Sequence, residues 1–447
     1  MGPFKRLWLK LKEYVTAIMI GVIQKKNFPF ILVAGFLFTL TFIILSSNSP
    51  REELLIYKDI NEHNVDTKPL DRRKVEEWWA LRNSSGPGFY SKLGEILFLN
   101  MPEPKINSTK KYQILVWKHG SVIENRHLKQ YSDQRIDPFQ FCSVNNCNIT
   151  YKDTDLKTAD IVIFHLHRTK SKDELPKERN ADQIWAFLTD ESPYHTFLNS
   201  GVKLKDFNGI FNWSMSYRMD TDIPVPYGRT VLRAGPTNPQ NSKLLLSKRR
   251  DVLVAILGSN CGGQNHRWQY VHELEKYITV HIYGGCSSST KKCPGHFRAD
   301  CPAINDYLFY LSFENSNCDE YITEKLWWNA FNKNSIPIVM GSSPSTYKKI
   351  LPVNSFINVD DFANPRALAQ YLLRLNTTGE FKRYHDWRND FEVLNEHGYF
   401  QSRSYHYCRI CEALNYNSKE SKVYKDLEKF WSVKRDCHPP WNTWNDG

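Results

Sequence analysis

The sequence predicts an α/β protein with two parallel, doubly wound sheets in series, as two Rossmann-like domains facing across a cleft, preceded by an N-terminal transmembrane helix and a stem. Three observations carry the prediction. Short apolar runs of strand length alternate with helical stretches, the pattern of parallel sheets with crossover helices. The alternation occurs twice, with the basic run Lys248-Arg249-Arg250 between the two sets. A separate uncharged run, Phe28 to Leu45, lies upstream of both.

That run of 18 residues reads FPFILVAGFLFTLTFIIL and meets the lower end of the length that crosses a bilayer as a helix. Lys5, Arg6, Lys10, Lys12, Lys25 and Lys26 precede it, whereas Arg51, Glu52 and Glu53 follow it. Positive charge stays cytosolic, so the expected division is a cytosolic tail at 1–27, a signal anchor at 28–45 and a lumenal remainder. Ser46-Ser47-Asn48 is a poor cleavage site, which favours an uncleaved anchor. A span this short suits the thinner membranes of the early secretory pathway. From 46 to 109 the chain is polar and irregular, as expected of a stem. It holds one helical piece at Lys74 to Arg82 and a breaker cluster at Asn83 to Gly88.

The first α/β domain is expected over 110–245. Gln113 to Trp117 and Ala159 to His165 are apolar runs of the kind found in strands buried on both faces. The second is expected over 246–400. Val252 to Leu257 is its first strand, Gly258-Ser259-Asn260 breaks it, and His266 to Tyr277 reads as a helix. Val280 to Gly285, Tyr307 to Phe313 and Ile336 to Met340 continue the series. Residues 401–447 form a cysteine-bearing C-terminal segment.

Lys and Arg number 59 against 48 Asp and Glu, a net charge of +11. Such an excess favours anionic partners. There is no zinc-finger spacing, RNP-like run or long basic stripe, which argues against nucleic acid. Ten cysteines accompany five Asn-x-Ser/Thr sequons, at Asn83, Asn107, Asn148, Asn212 and Asn376. Together they point to an oxidising, glycosylating lumen.

The densest chemistry lies between Tyr310 and Leu326. A hydrophobic strand ends in a polar loop, and a helix opens near Thr323, a residue type that caps helices. Ligands of open α/β sheets sit beyond the carboxyl ends of the strands, and helix N-termini favour phosphate. Lys325 in the first turn suits a diphosphate; Glu324 and Asn315 suit sugar hydroxyls. The same spacing equally suits a capped surface helix with a solvated Glu-Lys pair.

This stretch, continued through Asn329-Ala330 and Ile336 to Gly341, resembles the signature of the α1,3-fucosyltransferase family. The family pattern runs Phe-Glu-Asn-Ser, an acidic residue, Tyr-x-Thr-Glu-Lys, Asn-Ala, then Val/Ile-Pro-x-x-x-Gly. The likeness extends from about Gln113 to Cys411. It implies a GT-B fold with the nucleotide sugar held mainly by the C-terminal domain. It also implies a glycosyltransferase that moves L-fucose from GDP-fucose to a GlcNAc 3-hydroxyl of N-glycans, core GlcNAc slightly preferred over outer arms. Asn315, Tyr321, Glu324 and Lys325 fall on the family's donor-binding positions. So does Arg267 in Asn265-His266-Arg267-Trp268, where the family places an arginine on the diphosphate.

A β-linked donor and an α-linked product require inversion in one step, so one carboxylate must take the acceptor proton as the new bond forms. Asp190-Glu191-Ser192-Pro193 resembles the family's Glu-Ser-Pro element, which supplies that base. Glu191 is the expected base and Asp190 the fallback. Phe211 to Ile223 also resembles a family element, on the cleft wall, from which Tyr217 and Arg218 are expected to reach donor or acceptor. Packing of that element would make Asn212 a poorer glycosylation site than Asn376. The family's C-terminal Cys-x-x-Cys, here Cys408 and Cys411, is expected to pair with Cys142 and Cys147. Cys261, Cys286, Cys293, Cys301, Cys318 and Cys437 have no assigned partners. The cysteine-rich stretch from Cys286 to Cys318 departs from vertebrate Lewis-type members and leans toward an invertebrate or core-type enzyme.

Asp220-Thr221-Asp222 and Asp153-Thr154-Asp155 carry the Asp-x-Asp pattern that holds Mn²⁺ in other glycosyltransferases. Arg267 and Lys325 would balance the phosphates without it. No metal and no cofactor are therefore expected beyond the co-substrate GDP-fucose, with a divalent cation at most stimulatory. The expected setting is the Golgi membrane, single-pass type II, with the catalytic part lumenal. The rival on the same fold is a catalytically inactive, membrane-anchored glycan-binding protein, against which the intact set Glu191, Arg267, Glu324 and Lys325 argues.

Overall fold

The apolar runs form the strands of two all-parallel sheets, each buried on both faces. The first sheet comprises β1 (Tyr112–Val116), β2 (Cys147–Thr150), β3 (Ile161–His165), β4 (Ile184–Thr189), β5 (Trp213–Ser216) and β6 (Ile223–Pro224), in the order β2-β1-β3-β4-β5-β6. An antiparallel ribbon of β7 (Gly228–Leu232) and β13 (Phe391–Asn395) joins distant parts of the chain. The second sheet comprises β8 (Val254–Leu257), β9 (Val280–Tyr283), β10 (Phe309–Phe313), β11 (Ile336–Met340) and β12 (Ile357–Asn358), in the order β9-β8-β10-β11-β12. The computed structural model describes residues 72–84, 88–106, 109–129, 137–198, 201–233, 244–287, 293 and 299–439. The expected tail and anchor lie outside them, and among the described residues no helix is long and apolar enough to cross a membrane.

The two sheets share one topology. In each, the second strand flanks the first on one side and the third flanks it on the other. The crossover direction therefore reverses between β1 and β3, and again between β8 and β10. Such switch points leave a crevice beyond the carboxyl ends of the strands, where open α/β sheets bind ligands.

Within the stretch 46–109, the described part from residue 72 packs against the body instead of hanging free. Helix α1 (Arg72–Asn83) buries Trp78 and Arg82. The Trp78 indole donates to Lys348 O at 3.1 Å, and Arg82 donates to Lys349 O at 2.9 Å and Ile350 O at 2.6 Å. Helix α2 (Lys92–Leu99) is capped by Ser91, whose hydroxyl accepts from the Gly94 amide, and it buries Leu93 and Phe98. The helical piece is the one expected. Its docking was hidden because a single tryptophan and arginine do not form an amphipathic stripe.

On the second sheet lie α3 (Arg267–Leu274) and α4 (Pro365–Thr378). Asn364 caps α4, Pro365 opens it, and Gly379 closes it at φ +75°. Leu368, Leu372 and Leu375 fall at helical spacing and enter the second core. The chain then returns to the first sheet. Helix α5 (His406–Tyr416) adds Tyr407, Ile410 and Leu414 to the core that holds Ile114 and Ile163. Leu427 joins the core on the opposite face of the same sheet. Disulfides Cys142–Cys408 and Cys147–Cys411 fasten α5 beside β2, closing separations of 266 and 264 residues. The remaining cysteines pair as Cys261–Cys286, Cys293–Cys301 and Cys318–Cys437.

Candidate active site

A cavity of about 460 Å³ opens at the second sheet's switch point. Its floor is the Gly258-Ser259-Asn260 turn after β8 and the end of β10 at Phe313. Beyond Phe313 comes Glu314, fully buried. Its Oε1 accepts from the Thr323 amide at 2.8 Å, and both oxygens accept from the Thr323 hydroxyl. Thr323 was expected to cap the following helix with its side chain. Its hydroxyl donates to Glu314 instead and pins the loop to the strand. Gly341, at φ +150°, lies where a β-carbon would stand 2.9 Å from Glu314 Cβ, so the signature glycine makes room for this carboxylate.

Arg267, Asn315, Tyr321, Glu324 and Lys325 all line this one cavity. Arg267 is the first residue of α3 and is 5% exposed. It donates to the carbonyls of Gly262 at 3.2 Å, Phe313 at 3.0 Å and Asn260 at 2.7 Å. Of the five guanidinium N–H groups, these bonds leave two for a ligand. Burial pulls the Arg267 pKa down, while Glu314, Tyr321 and Glu324 oppose the shift.

Lys325 is not a bare cation. Its ammonium donates to Thr323 Oγ1 at 2.8 Å, Glu314 Oε2 at 3.0 Å and Glu324 Oε1 at 3.3 Å. Burial alone would lower its pKa, but Glu314 and Glu324 hold it above the usual lysine value. The Glu324 carboxyl is lowered on balance: burial raises it, and Lys325 overrides the burial. The lysine thus stays charged. Its contact with Glu324 is its longest.

Glu191 reaches the same cavity from the first sheet, two residues past the end of β4. Tyr321 Oη donates to Glu191 Oε2 at 3.0 Å, a bond that spans the two sheets. A second bridge lies beside it, where buried Ser316 donates to Ser192 at 2.8 Å. Asp190, the fallback base, points the other way. It is 2% exposed and accepts from Arg126 at 2.9 Å, with His406 at 3.4 Å and His397 at 3.6 Å. Burial would raise its carboxyl, but His397, His406 and Arg126 hold it well below the usual range. A carboxylate so stabilised is a poor base at neutral pH, and it anchors the Glu191 turn.

His127, His406 and Asp190 offer ligand atoms within 4.8 Å of one another. The imidazoles are stacked at 3.8 Å with planes 23° apart, and both Nδ1 atoms contact the one Ser404 hydroxyl. Ring lone pairs lie in the ring plane, so near-parallel rings do not converge on one ion. Arg126 already balances Asp190. The cluster is a buried polar support, not a metal centre.

Two expected cleft-wall residues are elsewhere. Arg218 is buried between Asp220 and Asp436, with 2.9 Å to the latter, and it donates to Phe430 O at 2.8 Å. Tyr217 packs behind Tyr321 with ring centroids 5.1 Å apart, and against Trp431. Neither lines the cavity. Their alternation on a strand-turn element gives no sign of which side faces the cleft. The Asp-x-Asp triplets are also engaged. Asp220 pairs with Arg218. Asp222 accepts from Ser214 N at 2.8 Å and Tyr424 Oη at 2.8 Å. Asp155 accepts from Thr150 at 2.6 Å, and Asp153 from the Lys118 amide at 3.2 Å. The Asn212 amide is consumed as well, accepting from Trp185 N at 2.9 Å and donating to Lys422 O at 2.8 Å. Asn148 is exposed on β2 and Asn376 is half-exposed on α4, while Asn107 and the Asn83 side chain lie outside the described residues.

Tyr399 and Phe400 also line the cavity, although no motif marks them. Arg126 donates to Tyr399 Oη. Phe400 sits at φ +53°, unusual for a bulky residue, and stacks on Trp328 at 5.9 Å. An aromatic pair behind Gly398 was the available signal; the left-handed backbone was not.

Residues 247–431 match the C-terminal domain of glycosyltransferase family 10 (fucosyltransferase), and residues 109–228 match the fucosyltransferase N-terminal domain. Glycoprotein 3-alpha-L-fucosyltransferase A of Drosophila melanogaster is 36% identical over 395 residues, covering 87% of this chain and 74% of that protein. Alpha-(1,3)-fucosyltransferase 7 of Rattus norvegicus is 36% identical over 292 residues, 64% of this chain and 72% of that one. A crystal structure of an α1,3-fucosyltransferase with GDP-fucose superposes with a TM-score of 0.45 at 17% identity, over 76% of this chain and 98% of that one.

Proposed function

This chain belongs to glycosyltransferase family 10, the fucosyltransferases, and on that premise we propose that it is an inverting α1,3-fucosyltransferase. It moves L-fucose from GDP-fucose to the 3-hydroxyl of a GlcNAc in N-glycans of glycoproteins, the core GlcNAc before outer arms. The Drosophila relative's name supports a glycoprotein acceptor. The observation that carries the reading is the bond from Tyr321 to Glu191, which holds a carboxylate of the first sheet at the mouth of the cavity shared by Arg267 and Lys325.

In the proposed mechanism Arg267 and Lys325 bind the diphosphate of GDP-fucose. The two free N–H groups of Arg267 and the Lys325 ammonium, exchanging Glu324 for phosphate oxygen, take up the charge that grows as the glycosidic bond breaks. Asn315 and the released Glu324 orient the fucose hydroxyls. Glu191 Oε1 accepts the proton of the acceptor 3-hydroxyl while that oxygen attacks the anomeric carbon from the face opposite GDP, so a β-linked donor gives an α-linked product. Tyr321, donating to Oε2, keeps the carboxylate oriented. Two cations suffice for the phosphates, so EDTA should leave full activity and a divalent ion should at most stimulate it.

The setting we propose is the Golgi membrane, with 28–45 as a single type II span and the catalytic part lumenal. The uncharged run, its basic cytosolic flank and the sequons support this. The test is the full-length protein, GDP-fucose and a glycan array, with mass spectrometry locating the fucosylated residue and NMR its linkage. GDP binding without GDP release or fucosylation would overturn the enzymatic reading in favour of the inactive glycan-binding protein.

A further inference from the structure

The guanidinium of Arg267 is held from two directions. Its Nη1 donates to Phe313 O, at the end of β10. Its Nη2 and Nε donate to Asn260 O at 2.7 Å and Gly262 O at 3.2 Å, both in the loop after β8. Cys261 is the residue between those two carbonyls, and it is cross-linked to Cys286, beyond the end of β9. We propose that Cys261 and Cys286 are positioning residues for donor binding, their disulfide fixing the two carbonyls that aim Arg267 at the donor diphosphate. This rests on the fucosyltransferase reading of the cavity.

The loop itself is the first argument. Gly258 to Gly263 contains three glycines, the residue type that loses most backbone freedom on ordering. Asn260 to Gln264 are all exposed, so burial does little to order them. A loop of this kind does not hold an arginine still; it follows the arginine. The cross-link sits at the one position that controls both acceptors. An Arg267 fixed before GDP arrives spares the ligand the cost of ordering it.

The root of the cross-link is the second argument. Cys286 N donates to Gly258 O at 3.0 Å, and Gly258 N donates to Tyr283 O at 3.0 Å. The segments after β8 and β9 therefore stay paired past the sheet, and the disulfide extends that pairing out to the acceptors. A β-carbon at Gly258 would lie 2.3 Å from the Trp268 ring and 3.6 Å from Cys286 Sγ. The bare glycine thus lets the indole and the disulfide close on the same turn. The Trp268 indole donates to Asn260 O at 2.9 Å, the same carbonyl that Arg267 uses. By contrast, Cys142–Cys408 and Cys147–Cys411 fasten the first sheet, and none of those four cysteines lines the cavity.

The test is calorimetric titration of the full-length protein with GDP, in wild type, Cys261→Ser/Cys286→Ser, Arg267→Ala and the triple variant. Opening the cross-link should weaken GDP binding by about tenfold, the equivalent of ordering one residue's backbone. The KM for GDP-fucose should rise in step while the acceptor KM stays. In the Arg267→Ala background the same two serines should weaken binding by less than about twofold, since nothing remains for the loop to aim. A merely structural disulfide would lower thermal stability and the active fraction, not the affinity of the molecules that fold. Affinity within about twofold of wild type, or an equal loss with and without Arg267, overturns the proposal. If the serine variant does not fold, the same titration is run on wild type opened with dithiothreitol, which passes two electrons and two protons to the disulfide and closes to its own cyclic disulfide. Cys261 is exposed and Cys286 half-buried, whereas each of the other disulfides has at least one fully buried cysteine, so this pair opens first. Alkylation and peptide mass spectrometry identify it, and unchanged GDP affinity in that species overturns the proposal as well. Wild type that binds no GDP would sink the fucosyltransferase reading too; wild type that binds, beside an opened form that binds equally, overturns this inference alone.

Discussion

The two parallel sheets have the same strand order and place a cavity at the same topological point, yet their charges are organised in opposite ways. At the second sheet Arg267 is buried and Lys325 half-buried, and they are hydrogen-bonded to carbonyls, Glu314, Glu324 and Thr323. At the first sheet Arg168 and Lys170 stand exposed, without ion-pair partners among the described residues. A cation held by surrounding acceptors keeps its position and pays little to reorganise when charge develops on a ligand, which suits transition-state stabilisation. An exposed cation keeps its reach and is screened by salt, which suits recognition. One topology thus carries two arrangements of charge, one wired into its surroundings and one open to solvent.

The largest effect should come from the residue that joins the two halves. Glu191→Gln should lower kcat by about 10²–10⁴-fold, the usual worth of a general base, while calorimetry shows GDP binding unchanged. A near-normal rate would break the proposed division into base-bearing and donor-bearing halves. Lys325→Ala should weaken GDP binding by at least about a hundredfold and destabilise the fold by about 3–5 kcal/mol, because Glu314 and Glu324 lose their counter-charge. If GDP affinity is unchanged in titration, the buried cation is structural only. Replacing both Cys147 and Cys411 with Ser should cost about 2–4 kcal/mol in denaturant unfolding, a loss borne by the first sheet, with donor affinity at the second preserved.

The smallest effect concerns the histidine support behind Glu191. Burial lowers the His397 pKa to about 4, opposed by Asp190. The unfolded chain takes up this proton near pH 6.5 and the folded one only near 4. Its contribution to stability is therefore present above pH 6.5 and is lost as pH falls toward 4. Wild type should lose about 2 kcal/mol more than His397→Gln between pH 7.5 and 5, measured by thermal unfolding. Equal slopes would remove His397 from the acid-sensitive part of the first half.

Strand runs were legible because strands buried on both faces must be apolar throughout: Ile161 to His165 and Ile336 to Met340 announce themselves. The lining of the second-sheet cavity was legible for a related reason, since Asn315, Tyr321, Glu324 and Lys325 lie within one loop-helix segment. Chain proximity made them spatial neighbours. Tyr399 and Phe400 were invisible because they arrive from a distant loop through a left-handed turn. Tyr217 and Arg218 misled because an element near the cleft has two sides, and only packing against Trp431 and Asp436 selects one.

By itself, then, the sequence determined the class of fold, the family and the local group of residues that lines the second-sheet cavity, all of which follow from patterns short enough to be read along the chain. Tertiary structure decided which of two adjacent carboxylates faces the cavity, how the six unassigned cysteines pair and where the unpaired cations gather. Those outcomes depend on the meeting of segments tens to hundreds of residues apart. The bond from Tyr321 to Glu191 crosses 130 residues, and no local pattern encodes it.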